Sequence, residues 1–147
     1  MGNRIELHRV LRAPVERVFR AFSNPDAVSY WMAPFGFLGK VHSMDFKTGG
    51  TYKMSFTNFT NNKSHSFGGK YLEIKPNELI RHTDVFDDPN LPGEIIVTVH
   101  FKKVLIGTDI RIIQENLPDI IPVEMCYHGW QDSLIQLANL VEPEINQ

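Results

Sequence analysis

The spacing of apolar positions changes along the chain, from a period of about two to one of about 3.6, back to two, and finally to a long helical stretch. In residues 4–11, Ile5, Leu7 and Arg9 alternate with Glu6, His8 and Val10, which predicts a strand. Ala13-Pro14 then opens a short helix, with Pro in the first turn where its missing N–H costs nothing; Val15, Val18, Phe19 and Phe22 form its apolar stripe. Ser23-Asn24-Pro25-Asp26 breaks that helix and starts a second, which reaches Trp31 and is ended by Pro34 and Gly36. From Phe37 the period is two again. Strands are predicted at 41–46 and 51–59 around the turn Lys47-Thr48-Gly49-Gly50, and at 65–74 and 79–86 around Lys75-Pro76-Asn77-Glu78. A loop at 87–93 leads to a last hairpin, 94–103 and 108–115, around Gly107. Residues 121–142 form the longest helical candidate, with Val123, Cys126, Trp130, Leu134, Leu137 and Val141 on one stripe and Pro143 at its end.

This order, β-α-α-β-β-β-β-β-β-α, predicts an α+β fold: a seven-stranded antiparallel sheet whose buried face is covered by the long C-terminal helix. A twisted sheet of that width curls around the helix, and one helical stripe cannot fill the concavity. An internal, mostly apolar cavity with a few polar groups is the expectation.

Composition narrows the classes. With 147 residues, 42% hydrophobic and 22% charged, the chain reads as one globular domain, 1–147, rather than a disordered or fibrous segment. A net charge of -2 argues against a nucleic-acid or anionic-membrane partner. The lone Cys126 excludes an internal disulfide and any cysteine-built zinc site, and the start MGNRIELHRV lacks the apolar run of a signal peptide, so a cytoplasmic location is expected. The six histidines, His8, His42, His65, His82, His100 and His128, show no metal-ligand spacing, no glycine-rich phosphate loop opens a helix, and no G-x-S-x-G elbow is present. No metal and no cofactor are expected.

Candidate chemistry follows from pairing the strands. If the last hairpin sets Val97 opposite Ile112 and Val99 opposite Ile110, then Gln114 shares their face. If Phe86 lies opposite Ile95, then Asp84 faces Val97, His82 faces Val99, and both point to the concave side. Tyr71 would lie opposite His82. An imidazole and a carboxylate two apart on one strand face are about 7 Å apart, within reach of one ligand. Two readings stand: a polar cluster of His82, Asp84, Tyr71 and Gln114 in an apolar pocket, able to orient a ligand or act as acid and base, or a pair that satisfies itself or faces solvent. Gly68-Gly69 is a candidate bulge that would flip His65 and Phe67. Trp31, Met54, Val97, Val99 and Trp130 are candidate pocket walls or plain core, core being the stronger reading for Trp130 and the methionines; Cys126, on the inward stripe without a helical His partner, reads as a small buried hydrophobe rather than a nucleophile. The ligand-binding set is therefore Trp31, Met54, Tyr71, His82, Asp84, Val97, Val99, Gln114, Cys126 and Trp130, with no residue assigned as catalytic.

Three segments carry a resemblance. Phe22-Ser23-Asn24-Pro25-Asp26 running to Trp31, Lys47-Thr48-Gly49-Gly50-Thr51-Tyr52, and Gly129-Trp130-Gln131-Asp132-Ser133-Leu134 followed by Leu137 and Leu140 together resemble the START-like, Bet v 1-like (SRPBCC) superfamily. Within it they resemble the group related to the C-terminal domain of the Hsp90 ATPase activator. The resemblance spans essentially the whole chain. It implies a helix-grip fold around an apolar cavity. It also implies one of three activities: binding of a small apolar or aromatic molecule, polyketide cyclase or aromatase chemistry with His82 and Asp84 as acid and base, or contact with an Hsp90-type chaperone. The activator uses a further N-terminal domain without a counterpart here, so ligand binding is the leading expectation.

Overall fold

The computed structural model describes residues 3–147. Its elements follow the predicted order: β1 (Asn3–Leu11), α1 (Val15–Ser23), α2 (Pro25–Trp31), β2 (Phe37–Met44), β3 (Thr51–Asn58), β4 (Ser64–Lys75), β5 (Leu79–Phe86), β6 (Ile95–Val104), β7 (Gly107–Leu117) and α3 (Val123–Val141). The strands form one seven-stranded antiparallel sheet in the order β1-β7-β6-β5-β4-β3-β2, curved around α3 as a helix-grip fold.

Local chemistry accounts for the helix ends. Asn24 closes α1 and caps α2, its side chain accepting from the Ala27 N–H at 3.0 Å, while Pro25 takes the first position of α2. The buried face of α1 meets the sheet through aromatic rings. Phe19 and Phe22 pack edge-on against Phe101, with centroids 5.2 and 5.1 Å apart, and Phe22 packs on Trp31 at 4.8 Å.

The strand registers differ from expectation in an instructive way. β6 and β7 close through a two-residue turn, Leu105-Ile106, with Val104 opposite Gly107, so Val97 lies opposite Gln114 and Val99 opposite Ile112. His82 lies opposite Val97 and Asp84 opposite Ile95. Each pairing is displaced two residues from the expected one. A slip of two preserves which face a side chain occupies, so His82, Asp84 and Gln114 still point inward. Tyr71 does lie opposite His82.

Gly68-Gly69 is not a bulge. The irregularity between β4 and β5 falls at Leu72, and Phe67 keeps its inward face opposite Phe86. The glycines answer to a different constraint: a Cβ on Gly69 would overlap the Thr83 carbonyl oxygen, and one on Gly68 would crowd the Tyr52 carbonyl. Close approach of three backbones, rather than an extra residue, requires glycine there. A second bulge lies at His42, between Val41 and Ser43 of β2. β2 itself begins at Phe37, earlier than predicted, because residues 37–40 pair with the far end of β3.

Helix α3 packs on β1, α1 and α2 rather than on the central strands. Ser133 Oγ donates to Met32 O (2.6 Å), Gln136 Nε2 to Trp31 O (3.1 Å) and Arg17 Nε to Val141 O (2.7 Å). The expected stripe is buried only in its second half, at Leu134, Leu137 and Val141; Val123, Cys126 and Trp130 are half-buried. No helix among the described residues is long and apolar enough to cross a membrane.

Candidate functional site: a cavity beneath the first half of α3

Because α3 leans towards β1, its first half spans the central strands without filling the space above them. A cavity of about 290 Å³ lies there. Its floor comes from the sheet, with Phe56, Phe67, Phe86 and Ile95, and its roof from α3, with Cys126, Gly129, Trp130 and Ser133. The roof residues are small apart from Trp130, which is why the helix leaves room. Met125, 66% exposed, and Ile121 stand at the rim. The polar groups on the cavity wall include Asp84 and Gln114.

A smaller hollow of about 50 Å³ adjoins it under α2, lined by Tyr52, Met54, Tyr71, His82 and Val97 among others. Asp84, Trp130, Met32 and Phe67 line both hollows and form the partition between them.

At that partition the polar groups are tied together. His82 Nδ1 lies 3.1 Å from Thr83 O and 3.2 Å from Asp84 Oδ1. The Thr83 carbonyl oxygen can only accept, so Nδ1 carries the ring proton and Nε2 is the bare nitrogen of a neutral imidazole. The Tyr52 hydroxyl reaches Asp84 Oδ1 and, at 3.1 Å, Thr83 O. With an ionised Asp84, Tyr52 donates to the carboxylate; with a protonated Asp84, Tyr52 can turn its proton to Thr83 O and accept from the acid. Either protonation state is satisfied.

The side chains of His82 and Asp84 are 17% and 16% exposed. Burial lowers the His82 pKa to about 4, against a smaller opposing effect of the Thr83 carbonyl, and raises that of Asp84 to about 7. Burial also raises the Tyr71 phenol and the Cys126 thiol, so neither is a ready nucleophile or base at neutral pH. The rings of Tyr52 and Tyr71 stand edge-on to His82, at 5.4 and 6.0 Å.

The family model of Activator of Hsp90 ATPase homolog 1-like protein matches residues 12–142. The chain belongs to this family. Protein CV1439 from Chromobacterium violaceum, a solved structure 53% identical in sequence, superposes with a TM-score of 0.96 over 98% of this chain and 100% of that one. The AHSA1-like protein from Aeromonas hydrophila shares the fold at 18% identity, with a TM-score of 0.76 over 99% and 100% of the two chains. Protein NE0264 from Nitrosomonas europaea does so at 20% identity, with a TM-score of 0.80 over 93% and 92%. No curated protein matches the sequence.

Within this member of the Activator of Hsp90 ATPase homolog 1-like family, the structure divides the sequence-predicted residues. Asp84, Gln114, Cys126 and Trp130 line the larger cavity; Met54, Tyr71, His82 and Val97 line the smaller, with Asp84 and Trp130 shared. Trp31 and Val99 line neither. Trp31 is wholly buried between the short helices and the core, its Nε1 donating to Ala21 O at 2.8 Å, and Val99 lies at the Ile80 and Ile112 end of the sheet floor, beyond both hollows. Residues that sequence reasoning missed are Tyr52, Phe56 and His65. The first two share the inward face of β3 with Met54, so strict alternation from Met54 finds them. A bulge at Gly68-Gly69 would turn His65 to the other face, and there is none. His65 keeps the face of Phe67, lines the larger cavity, and has its pKa lowered by burial. Among the described residues no cluster of His, Cys, Asp and Glu has metal-holding geometry.

Proposed function

We propose that the protein binds a small apolar or aromatic molecule in the cavity beneath the first half of α3. The observation that carries this reading is the cavity itself: about 290 Å³, walled by Phe56, Phe67, Phe86, Ile95 and Trp130, with Asp84 and Gln114 on its surface. The hollow opens at the rim formed by Ile121 and Met125, so water enters it, and an apolar occupant that displaces this water from the aromatic walls is favoured. Its volume is at the lower edge of small-molecule pockets, which run from roughly 300 to 1,000 Å³. That suits a body of one or two fused rings better than an extended polyketide.

Titration with 2-naphthylmethanol, followed by Trp130 fluorescence and by thermal denaturation, tests the proposal. Saturable quenching with a rise in Tm is the expected result, and Cys126→Phe, which fills the roof of the cavity, abolishes it. No response at millimolar concentration to this alcohol, its amine or its carboxylate analogue overturns it. The cyclase-like reading has less support, because His82 lines only the smaller hollow and its Nδ1 donates to Thr83 O. The family's name favours a second reading, contact with an Hsp90-type chaperone. An ATPase assay of such a chaperone with and without this protein decides it, stimulation being the supporting outcome.

A further inference from the structure

Elsewhere in the molecule carboxylates sit beside cations. Asp87 meets Lys53, Asp109 meets His8 and Arg111, Glu6 meets Arg4, Glu73 meets Lys75, and Glu144 meets Arg17. Most of these groups are well exposed and need a partner least. Asp84 is among the better shielded carboxylates, yet no Lys or Arg among the described residues lines either hollow. The titratable groups around it are Tyr52 from β3, His65 and Tyr71 from β4, His82 on its own strand, and Cys126 from α3. Burial holds both histidines towards their neutral forms.

The geometry leaves one carboxylate oxygen available. Tyr52 donates to Oδ1 and His82 Nδ1 lies 3.2 Å from the same oxygen, whereas Oδ2 has no hydrogen-bond partner among the described residues. It is not sealed off either, since no buried side-chain polar atom there lacks a partner. Asp84 borders both hollows, so a molecule in the larger cavity meets its carboxylate. Gln114, buried on the same wall, is likewise without a side-chain hydrogen bond among the described residues. Around them Phe56 packs edge to face on Phe67 at 5.0 Å, Phe86 lies tilted against Phe67 at 6.2 Å, and Trp130 closes the roof.

We infer that the cavity selects an organic cation, an aromatic or alkyl ammonium whose head meets Asp84 Oδ2 and the Gln114 amide oxygen and whose apolar body lies among Phe56, Phe67, Phe86 and Trp130. This rests on the ligand-binding reading above and specifies its chemistry. A shielded carboxylate without a counter-charge gains most from a ligand that brings one, and aromatic rings attract an ammonium through their negative faces. An anionic ligand meets the Asp84 charge and no cation to offset it.

Three ligands sharing one naphthalene body test the inference: 2-naphthylmethylamine, 2-naphthylmethanol and 2-naphthoate, each titrated by calorimetry at pH 8. The ammonium is expected to bind about tenfold tighter than the alcohol, equivalent to about 1.4 kcal/mol, with naphthoate weakest. Asp84→Asn brings the ammonium-to-alcohol ratio close to one. The wild-type comparison stands without the variant, and a second wild-type measurement supports it: between pH 6 and pH 8 ammonium affinity rises as Asp84 ionises while alcohol affinity stays level. If the alcohol binds as tightly as the ammonium, or the ammonium shows no such rise, the cation inference is overturned and the cavity reading survives. If none of the three binds, the cavity reading falls with it.

Discussion

The two halves of α3 carry the same kind of apolar stripe and meet different fates. In the second half Leu134, Leu137 and Val141 are wholly buried against β1, α1 and α2. Over the cavity the roof positions are Cys126, Gly129 and Ser133, too small to reach the floor formed by Phe67, Asp84 and Ile95, and Trp130, the one large roof residue, stands at the partition between the two hollows. Periodicity marks which face of a helix turns inward, but side-chain volume and the presence of a second layer decide whether that face is filled. Helices α1 and α2 supply the second layer at one end only. The filled end holds the molecule together, and the unfilled end is free to hold something else.

The largest effect that separates the two ends is a truncation at each. Leu137→Ala removes a side chain with no exposure from the filled end and should cost about 2–5 kcal/mol in denaturant unfolding, as core leucines do. Cys126→Ala removes one sulfur from the wall of an existing cavity. It should cost less than about 1 kcal/mol, because no new void is sealed in. Equal losses at both sites would mean that the first half of α3 is packed as tightly as the second.

Next in size is the backbone crossing that places Asp84 at the border between the hollows. Gly69→Ala puts a methyl group onto the Thr83 carbonyl oxygen, which Tyr52 and His82 both use. The strands must part, with a cost of about 1–3 kcal/mol, and the Tyr52–Asp84 contact opens. The same substitution at the exposed turn glycine Gly36 meets no neighbouring atom but strains a backbone with φ of +86°, so it is a poor control; Gly129 is the proper one. A neutral Gly69→Ala would show that the close approach of β4 and β5 is slack.

Most of this fold is legible in the sequence, and what is not legible has identifiable causes. Element order, the helix breaks at Pro25 and Pro34, and the inward faces of β5, β6 and β7 follow from period and punctuation. The pairings of β5–β6 and β6–β7 miss by two residues, since period-2 patterns repeat on that interval and leave such slips degenerate until the turn is known. Gly68-Gly69 is ambiguous in the sequence because a bulge and a close approach of backbones leave the same mark there. The cavity was inferred from a deficit of volume, yet its position under the first half of α3 depends on the helix leaning towards β1, which no local pattern encodes. Asp84 and His82 are readable as inward; that Asp84 borders both hollows and His82 only the smaller is not.

The paired titration of these two residues supplies a third, smaller contrast. Between pH 3.8 and about 7 the folded Asp84 keeps a proton that the unfolded chain releases, so its contribution falls as pH rises. Between about 4 and 6.5 the unfolded His82 holds a proton that the folded one lacks, so its contribution grows as pH rises. In the wild type the two slopes oppose each other and stability from this pair is level through their shared window. Removing one partner exposes the other: His82→Gln should lose up to about 1.4 kcal/mol per pH unit on going up through that window, and Asp84→Asn should gain up to about as much. Urea unfolding at half-unit steps from pH 4 to 7 reads both slopes, and slopes of the same sign would show that the pair does not titrate as a buried unit.

The smallest effect is the most diagnostic of why α3 leaves a hollow. Gly129 is an interior helical residue on the cavity roof, where Ala would be about 1 kcal/mol better by helix propensity alone. A Cβ there meets only Pro34 Cγ, at 3.8 Å, an ordinary contact, so sterics do not demand glycine. Gly129→Ala should therefore raise stability by about 0.5–1 kcal/mol. A methyl group at that point also trims the space beneath it, so the same variant should bind 2-naphthylmethylamine more weakly. Gain of stability with loss of affinity identifies Gly129 as a residue kept small for the ligand. If stability rises and affinity does not change, the space above Asp84 is set by the tilt of α3, and Gly129 only borders it.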